Sequence, residues 1–302
     1  MRIALSGSSG LIGTAVTRTL RADGHTVCPI VRGWPDDAPP DAVRWDLAAG
    51  RLETERLEGV DAVVHLMGRN IAAGRWTAKE KAALVASRVP PTRTLAAALA
   101  ALPRPPATFV AASAIGYYGD GGDDELTEDS PPGHGFLPDL VSNWETAALA
   151  ARAAGVRVVC LRFGVVLSAA GGALRQMLLP FRLGLGGRIG SGRQYLSWVS
   201  RADAAGIVAF ALKTPALAGP VNAVSPAPAT NAEFTRALAA ALHRPACCPL
   251  PAAIARLALG EMADALLLAS ARVVPAGLQS AGYPFHHPTL PAALTAALAD
   301  RA

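Results

Sequence analysis

The chain has 302 residues, of which 51% are hydrophobic and 17% charged, with a formal net charge of +5 from 28 basic and 23 acidic residues. That balance excludes a disordered chain and allows one large α/β domain or a domain with a smaller lobe. There is no block of like charge and no basic patch interleaved with aromatics, which argues against nucleic acid as a partner.

In chain order, "RIALS" (2–6) reads as a buried strand and residues 11–22 as a helix that stops at Gly24. "HTVCPIV" (25–31) is a second strand, "VRWD" (43–46) a short third and "VDAVVHLM" (60–67) a fourth. Residues 77–101 are mostly helical, "ATFVAAS" (107–113) is a fifth strand, 138–154 a helix and "VRVVCLRF" (156–163) a sixth strand. Strands alternating with helices predict a parallel sheet covered on both faces. Beyond about residue 170 the texture changes. "LGLGGRIGSGRQ" (183–194) reads as an ordered loop or hairpin, and helical patterns follow at 202–213, 231–242 and 252–269. The short segments "PVNAV" and "ARVVP" interrupt them. The fold class is therefore α/β: a Rossmann-type doubly wound parallel sheet with a smaller C-terminal α/β substrate lobe. The expected division is 1–168 for the Rossmann domain and 169–302 mainly for the lobe, with some segments returning to the sheet.

No uncharged apolar run approaches a membrane span, and even 262–269 is short and carries Asp264. No basic region and apolar stretch precede the first strand, so no signal peptide is expected. Cys28 and Cys160 lie in apolar runs and read as buried, reduced thiols, which suits a cytoplasmic protein. A homodimer is the candidate assembly, and the oligomeric state stays open.

The strand-to-helix junction "GSSGLIG" (7–13) has the spacing of a dinucleotide cradle. Glycines there let the chain turn tightly and let a pyrophosphate approach free N–H groups at a helix N-terminus. The cradle residues are Gly7, Ser9, Gly10, Leu11, Ile12 and Gly13. The second strand ends at Arg32, where an NAD enzyme carries an acid for the ribose hydroxyl. Arginine there suits a 2′-phosphate, so the expected cofactor is NADP(H). Asp46, ending the third strand, is a candidate for the adenine amine. His65, Leu66 and Gly68, where the fourth strand ends, are expected along the ribose, with a core role the stronger reading for His65.

With these stretches in place the chain resembles the extended, or atypical, short-chain dehydrogenase/reductases. More closely, it is similar to a bacterial NAD(P)-dependent epimerase-like family, within the epimerase/dehydratase superfamily, of uncertain substrate. The marks are "GSSGLIG", "AASAIGYYGD" (111–120), "LTEDSPPG" (126–133), Trp144-Glu145, "LRFGVVLS" (161–168), "LPFRLGLGG" (179–187), "GSGRQYLSW" (190–198) and "GEMADALLL" (260–268). The resemblance implies hydride transfer at an alcohol carbon, with a tyrosine as acid/base and a lysine four residues on. No tyrosine here has that lysine: the fourth residues after Tyr117, Tyr118, Tyr195 and Tyr283 are Gly121, Gly122, Val199 and His287. If Glu145 is the helix glutamate that follows the motif in related enzymes, the tyrosine and lysine positions hold Leu137 and Val141.

Ser113 ends the fifth strand at the carboxyl edge, where open α/β sheets bind ligands, and it matches the superfamily's serine. Ser113, Tyr117 and Tyr118 are the catalytic candidates. The resemblance also implies backbone contact between Gly164 or Val165 and the nicotinamide. Arg193, Gln194 and Asn222 are candidates for the substrate side. The acidic run Asp120, Asp123, Asp124 and Glu125 reads as a solvated loop, and the adjacent His286 and His287 lack metal-ligand spacing, so no metal is expected. Two readings remain: an NADP-dependent oxidoreductase or epimerase acting on a small polar, sugar-like molecule, or a non-catalytic NADP(H)-binding redox sensor or interaction protein.

Overall fold

Ile3 and Leu5 point to one side of the first strand and Ala4 to the other, and all three are fully buried. A strand alternates its side chains between faces, so burial of both faces demands a layer above and a layer below. The computed structural model describes residues 1–33, 35 and 38–300.

The strands are β1 (Arg2–Ser6), β2 (Thr26–Arg32), β3 (Val43–Asp46), β4 (Arg51–Leu52), β5 (Ala62–His65), β6 (Thr108–Ala114) and β7 (Glu125–Leu126). They continue as β8 (Arg157–Phe163), β9 (Val165–Leu167), β10 (Tyr195–Leu196), β11 (Trp198–Ser200), β12 (Gly219–Ala223), β13 (Ala229–Thr230) and β14 (Arg272–Val273). The main sheet runs β12-β8-β6-β5-β1-β2-β3-β4. Every neighbouring pair is parallel except β3 with β4. The chain moves outward from β1 through β2 and β3, then crosses to β5 on the other side. The switch point therefore lies between β1 and β5, where doubly wound sheets leave a crevice at their carboxyl ends.

The helices are α1 (Leu11–Ala22), α2 (Ala78–Ala86), α3 (Val89–Ala100), α4 (Phe136–Leu149), α5 (Gly172–Arg182), α6 (Arg201–Lys213), α7 (Asn231–Leu242) and α8 (Ala252–Leu259). Ile3 and Leu5 pack with Val16 and Leu20 of α1 and with Ala204, Ile207 and Val208 of α6. Ala4 packs on the opposite face with Leu95 and Leu99 of α3 and Ala148 of α4. Each fully buried isoleucine or leucine contributes about 1.5–3 kcal/mol. A third core joins Leu174, Leu178 and Phe181 of α5, Trp198, Phe234 and Leu238 of α7, and Leu290 and Leu294 of the C-terminal helix Leu290–Ala299.

The long helix expected over 252–269 is broken at Gly260, whose φ of 62° is left-handed backbone. A short turn, Glu261–Ala263, and a π-helical turn, Asp264–Leu268, follow it. The segment "PVNA" is part of β12 and extends the main sheet beside β8. Cys28 and Cys160 are buried, as expected, and Cys247 and Cys248 are exposed. Among the described residues no helix is long and apolar enough to cross a membrane.

Candidate active site

The glycine junction forms a tight turn, in which the Gly10 N–H donates to the Gly7 carbonyl at 3.0 Å. Gly7 has φ of 71° and lies against the end of β5: a Cβ there would come within 2.9 Å of the Leu66 carbonyl. A Cβ on Gly13 would sit 2.0 Å from the Gly7 oxygen. No side chain fits at either position, so the turn presents bare backbone. Gly10 caps α1 with no side chain to accept its free N–H groups, and the first turn carries no acidic residue. An uncapped helix N-terminus without local negative charge is an anion site. Arg201 supports it from behind, donating to the Leu11 carbonyl at 3.0 Å and to Thr14 Oγ1 at 2.8 Å, while Asp300 pairs with its other edge. Leu11 and Ile12 are half-buried and Ser9 is exposed.

Ser6 is level with Ile30 in the β1–β2 register, so Arg32 overhangs the carboxyl edge by two residues. It is exposed, has no ion-pair partner among the described residues, and is followed by a left-handed turn at Gly33. Asp46 uses Oδ1 to close the turn after β3, accepting from the Ala48 and Ala49 N–H groups at 3.0 Å each.

His65 corrects its place among the cofactor contacts. Its side chain is fully buried beneath α3, with Nδ1 at 2.7 Å from Ser6 Oγ and Nε2 at 3.0 Å from Thr92 Oγ1. Trp144 Nε1 donates to the same Thr92 hydroxyl at 2.9 Å. Burial holds the imidazole down at about 4, so it is a neutral link in a core network. Only its backbone stays near the cleft. Leu66 and Gly68 follow directly on the carboxyl edge.

Ser113, Arg162 and Asn222 are level with one another across β6, β8 and β12. Their side chains share the face covered by α4. The Ser113 hydroxyl donates to Glu145 Oε1 at 2.5 Å, and Arg162 forms a two-pronged ion pair with the same carboxylate at 2.8 and 2.9 Å. Arg162 Nη1 donates to the Tyr118 hydroxyl, which in turn donates to Asn222 Oδ1 at 2.7 Å. Asn222 Nδ2 donates to the Val274 carbonyl, and its N–H donates to Glu128 Oε1. Burial disfavours the Arg162 charge, but the hydrogen bonds and charge of Glu145 outweigh it and raise its pKa. Burial pushes the Tyr118 phenol up to about 12.

This network bears on three of the expected site residues. Ser113, Tyr118 and Asn222 are all buried with their polar groups paired inside the protein, so none presents a free group to a ligand. The physical reason is strand alternation: Ser113 faces the helix layer, and the half-buried Ala114 that follows carries no hydroxyl. Tyr117 differs from its neighbour. It is half-buried, its ring lies 3.5 Å from the Arg162 guanidinium carbon, and its hydroxyl has no protein partner among the described residues. Leu137 and Val141 are buried apolar residues of α4.

Gly164 is pressed against β11, where a Cβ would meet the Ser197 carbonyl oxygen at 2.6 Å. The Gly164 N–H donates to Ala223 and the Val165 N–H to Ser197, so a contact from either to a nicotinamide is restricted to carbonyl oxygens. Gln194 is a tie rather than an open contact: its Nε2 donates to the Ile189 and Leu267 carbonyls at 3.0 and 2.9 Å. Arg193 is exposed and free of ion pairs among the described residues. Asp203 accepts from Ser200, His286 and His287 and so anchors the segment after α10 (Ala276–Ser280). A cavity of about 310 Å³ lies between α1, α6 and the C-terminal helix, lined in part by Arg18, Ser200, Arg201, His287 and Asp300. It shares no residue with the glycine turn or the Ser113 network. Glu145, Glu128 and the His65–Thr92–Trp144 chain escaped the sequence reading as a group, because each is an isolated polar residue with no spacing signal.

The last part of the chain laces the cleft together. Ser197 Oγ donates to the Ala271 carbonyl and accepts from the Val273 N–H. Ser270 hydrogen-bonds Gly122 and Asp120, β14 pairs with β7, and the Gly277 N–H donates to Glu128 Oε1.

A Rossmann-type sheet with a glycine turn at its switch point defines the class. Residues 3–224 match the model of the NAD dependent epimerase/dehydratase family, and the chain belongs to that family. Residues 250–297 match a domain of unknown function, DUF1731, which contains most of the lacing segment. The chain is 48% identical over 292 residues to the epimerase family protein Mb2239 of Mycobacterium bovis, covering 97% of this chain and 96% of that one. It is 40% identical over 299 residues to the human epimerase family protein SDR39U1, covering 97% and 98%. The structure of that human protein (isoform 2) with NADPH superposes with a TM-score of 0.88 at 38% identity, over 99% of this chain and 100% of that one. A nucleoside-diphosphate sugar epimerase from Corynebacterium glutamicum superposes with a TM-score of 0.81 at 34% identity, over 99% of this chain and 58% of that one.

Proposed function

We propose that this chain binds NADP(H) along the carboxyl edge of β1 and β5 and carries out hydride transfer, as an oxidoreductase or epimerase, on a small polar, sugar-like substrate without a tyrosine–lysine pair. The cradle carries the reading: Gly7 and Gly13 let the turn pack against Leu66 and onto itself where no Cβ fits, and the α1 N-terminus is left open for a pyrophosphate. A relative solved with NADPH supports the choice of cofactor, as does the unpaired Arg32 beyond the end of β2.

When bound, NADP(H) supplies or accepts a hydride at its nicotinamide. The chain's own part is to hold the phosphates at the glycine turn, the 2′-phosphate at Arg32 and the proton at Tyr117. Tyr117 is the one residue of the Ser113–Tyr117–Tyr118 set whose hydroxyl has no protein partner among the described residues. Arg193 offers an exposed cation to a polar or anionic substrate group. In this reading residues 1–168 bind the cofactor, 169–302 form mainly the substrate side, and four free cysteines suit a cytoplasmic setting. The second reading, an NADP(H)-binding sensor or interaction protein, is favoured by one observation: no tyrosine of the sequence has a lysine four residues on.

Titration with NADPH and NADH, followed by fluorescence, tests the cofactor. NADPH-loaded protein is then mixed with carbonyl compounds and nucleotide sugars. Loss of NADPH absorbance, or a change in sugar configuration, that disappears in Tyr117→Phe supports the enzyme. Tight binding with no turnover across the panel supports the sensor.

A further inference from the structure

Arg88 precedes α3 and is the residue the reading above leaves without a task. It is half-buried, and its guanidinium carbon lies 5.3 Å from the centre of the Trp144 ring. Nη1 donates to the Leu84 carbonyl and to Ser87 Oγ, and Nη2 donates to the Arg69 carbonyl at 2.7 Å. No carboxylate pairs with it among the described residues. One N–H on Nη2 and the N–H on Nε have no partner there either. Two unpartnered N–H groups on one guanidinium can serve two oxygens of one anion.

The position of the guanidinium is informative. A Cβ on Gly68 would lie over the face of the guanidinium, 3.4–3.6 Å from Cζ, Nη2 and Nε, so glycine at 68 leaves that face uncovered. Gly68 is two residues past Leu66, whose carbonyl touches the glycine turn at Gly7. Gly68 thus brings the Arg88 guanidinium beside the switch point at which α1 begins. Burial lowers the Arg88 pKa to about 10, the mark of a cation that lacks a counter-charge.

We propose that the unpartnered Nε and Nη2 N–H groups of Arg88 form an oxyanion-binding element of the switch-point cleft, taking oxygens of a phosphate or carboxylate, with the pyrophosphate of the bound dinucleotide as its first source. This rests on the NADP(H) reading and adds a second cationic contact, distinct from Arg32. Arg32 reads the 2′-phosphate. Arg88 reads a group that NADPH, NADH and ADP-ribose share.

The test uses Arg88→Met and Arg88→Lys in the full chain, titrated with those three ligands. Arg88→Met is expected to weaken all three by about 10- to 100-fold, and Arg88→Lys to recover part of the loss. The ligand-free Arg88→Met protein is expected to melt somewhat lower than the wild type, because the hydrogen bonds to the Leu84 and Arg69 carbonyls are lost, so affinities are compared at a temperature where both proteins are folded. A purely structural arginine would lower the melting temperature and leave the affinities alone. If dinucleotide affinities hold but NADPH-loaded variant protein loses binding of inorganic pyrophosphate or oxalate, the anion belongs to the substrate and the oxyanion site stands. No change in either arm overturns the proposal. Wild-type protein that binds no NADPH refutes the cofactor reading instead, so the two failures are distinguishable.

Discussion

The Ser113 hydroxyl donates to Glu145 Oε1 at 2.5 Å, on the side of the sheet covered by α4. Its proton is therefore committed to a buried carboxylate that Arg162 also holds. Ser113→Ala is expected to cost about 1–2 kcal/mol of stability and to leave NADPH affinity unchanged. Glu145→Gln strands the buried Arg162 charge and is expected to cost about 3–5 kcal/mol. Urea denaturation measures both. A Ser113→Ala protein of wild-type stability with no turnover would return this serine to the catalytic set.

Gly13→Ala tests the cradle. The added methyl would overlap the Gly7 carbonyl oxygen, so the turn or the helix start has to shift. Overpacking of this kind costs about 1–3 kcal/mol, and here it also displaces the backbone N–H groups proposed to hold the pyrophosphate. NADPH affinity is expected to fall more than stability does. Fluorescence titration alongside thermal melting separates the two.

Arg32→Ala is expected to weaken NADPH by about tenfold or more while leaving NADH nearly unaffected. Equal losses for the two cofactors would remove Arg32 from the 2′-phosphate.

The buried His65 makes stability depend on pH. Its folded pKa, about 4, lies below the ordinary 6.5, so between those values the unfolded chain binds a proton that the folded chain refuses. The contribution is fully present above pH 6.5 and is lost as pH falls through 4, amounting to about 3 kcal/mol. Denaturation midpoints measured across this window should fall toward acid in the wild type and much less in His65→Gln. Parallel curves for the two proteins would show that His65 is not the source.

Much of the scaffold was legible because long apolar runs have few ways to be buried. "RIALS" and "VRVVCLRF" lie within two residues of their observed strands, and Gly7 and Gly13 stand where the turn admits no side chain. The small strands β9, β10, β11 and β13 were not legible, since two or three residues carry no period. The site was read less well for a related reason. Strand spacing says that Ser113 ends β6, but which face it takes at the sheet edge depends on α4, thirty residues away in sequence. The partners of His65, on β1 and α3, are equally non-local. Arg88 gave no signal at all, because an unpaired arginine is recognisable only once its surroundings are known.

The lacing of residues 270–277 onto the cleft has a consequence for how the protein is made. Ser197, Asn222 and Glu128 each take a hydrogen-bond partner from that stretch. On the ribosome these three emerge well before their partners. The sheet and the glycine turn can form during translation, but the buried wall around Tyr118 and Arg162 closes only once residues 270–277 have emerged. A nascent chain halted before residue 270 would have the phosphate cradle without the chamber beside it.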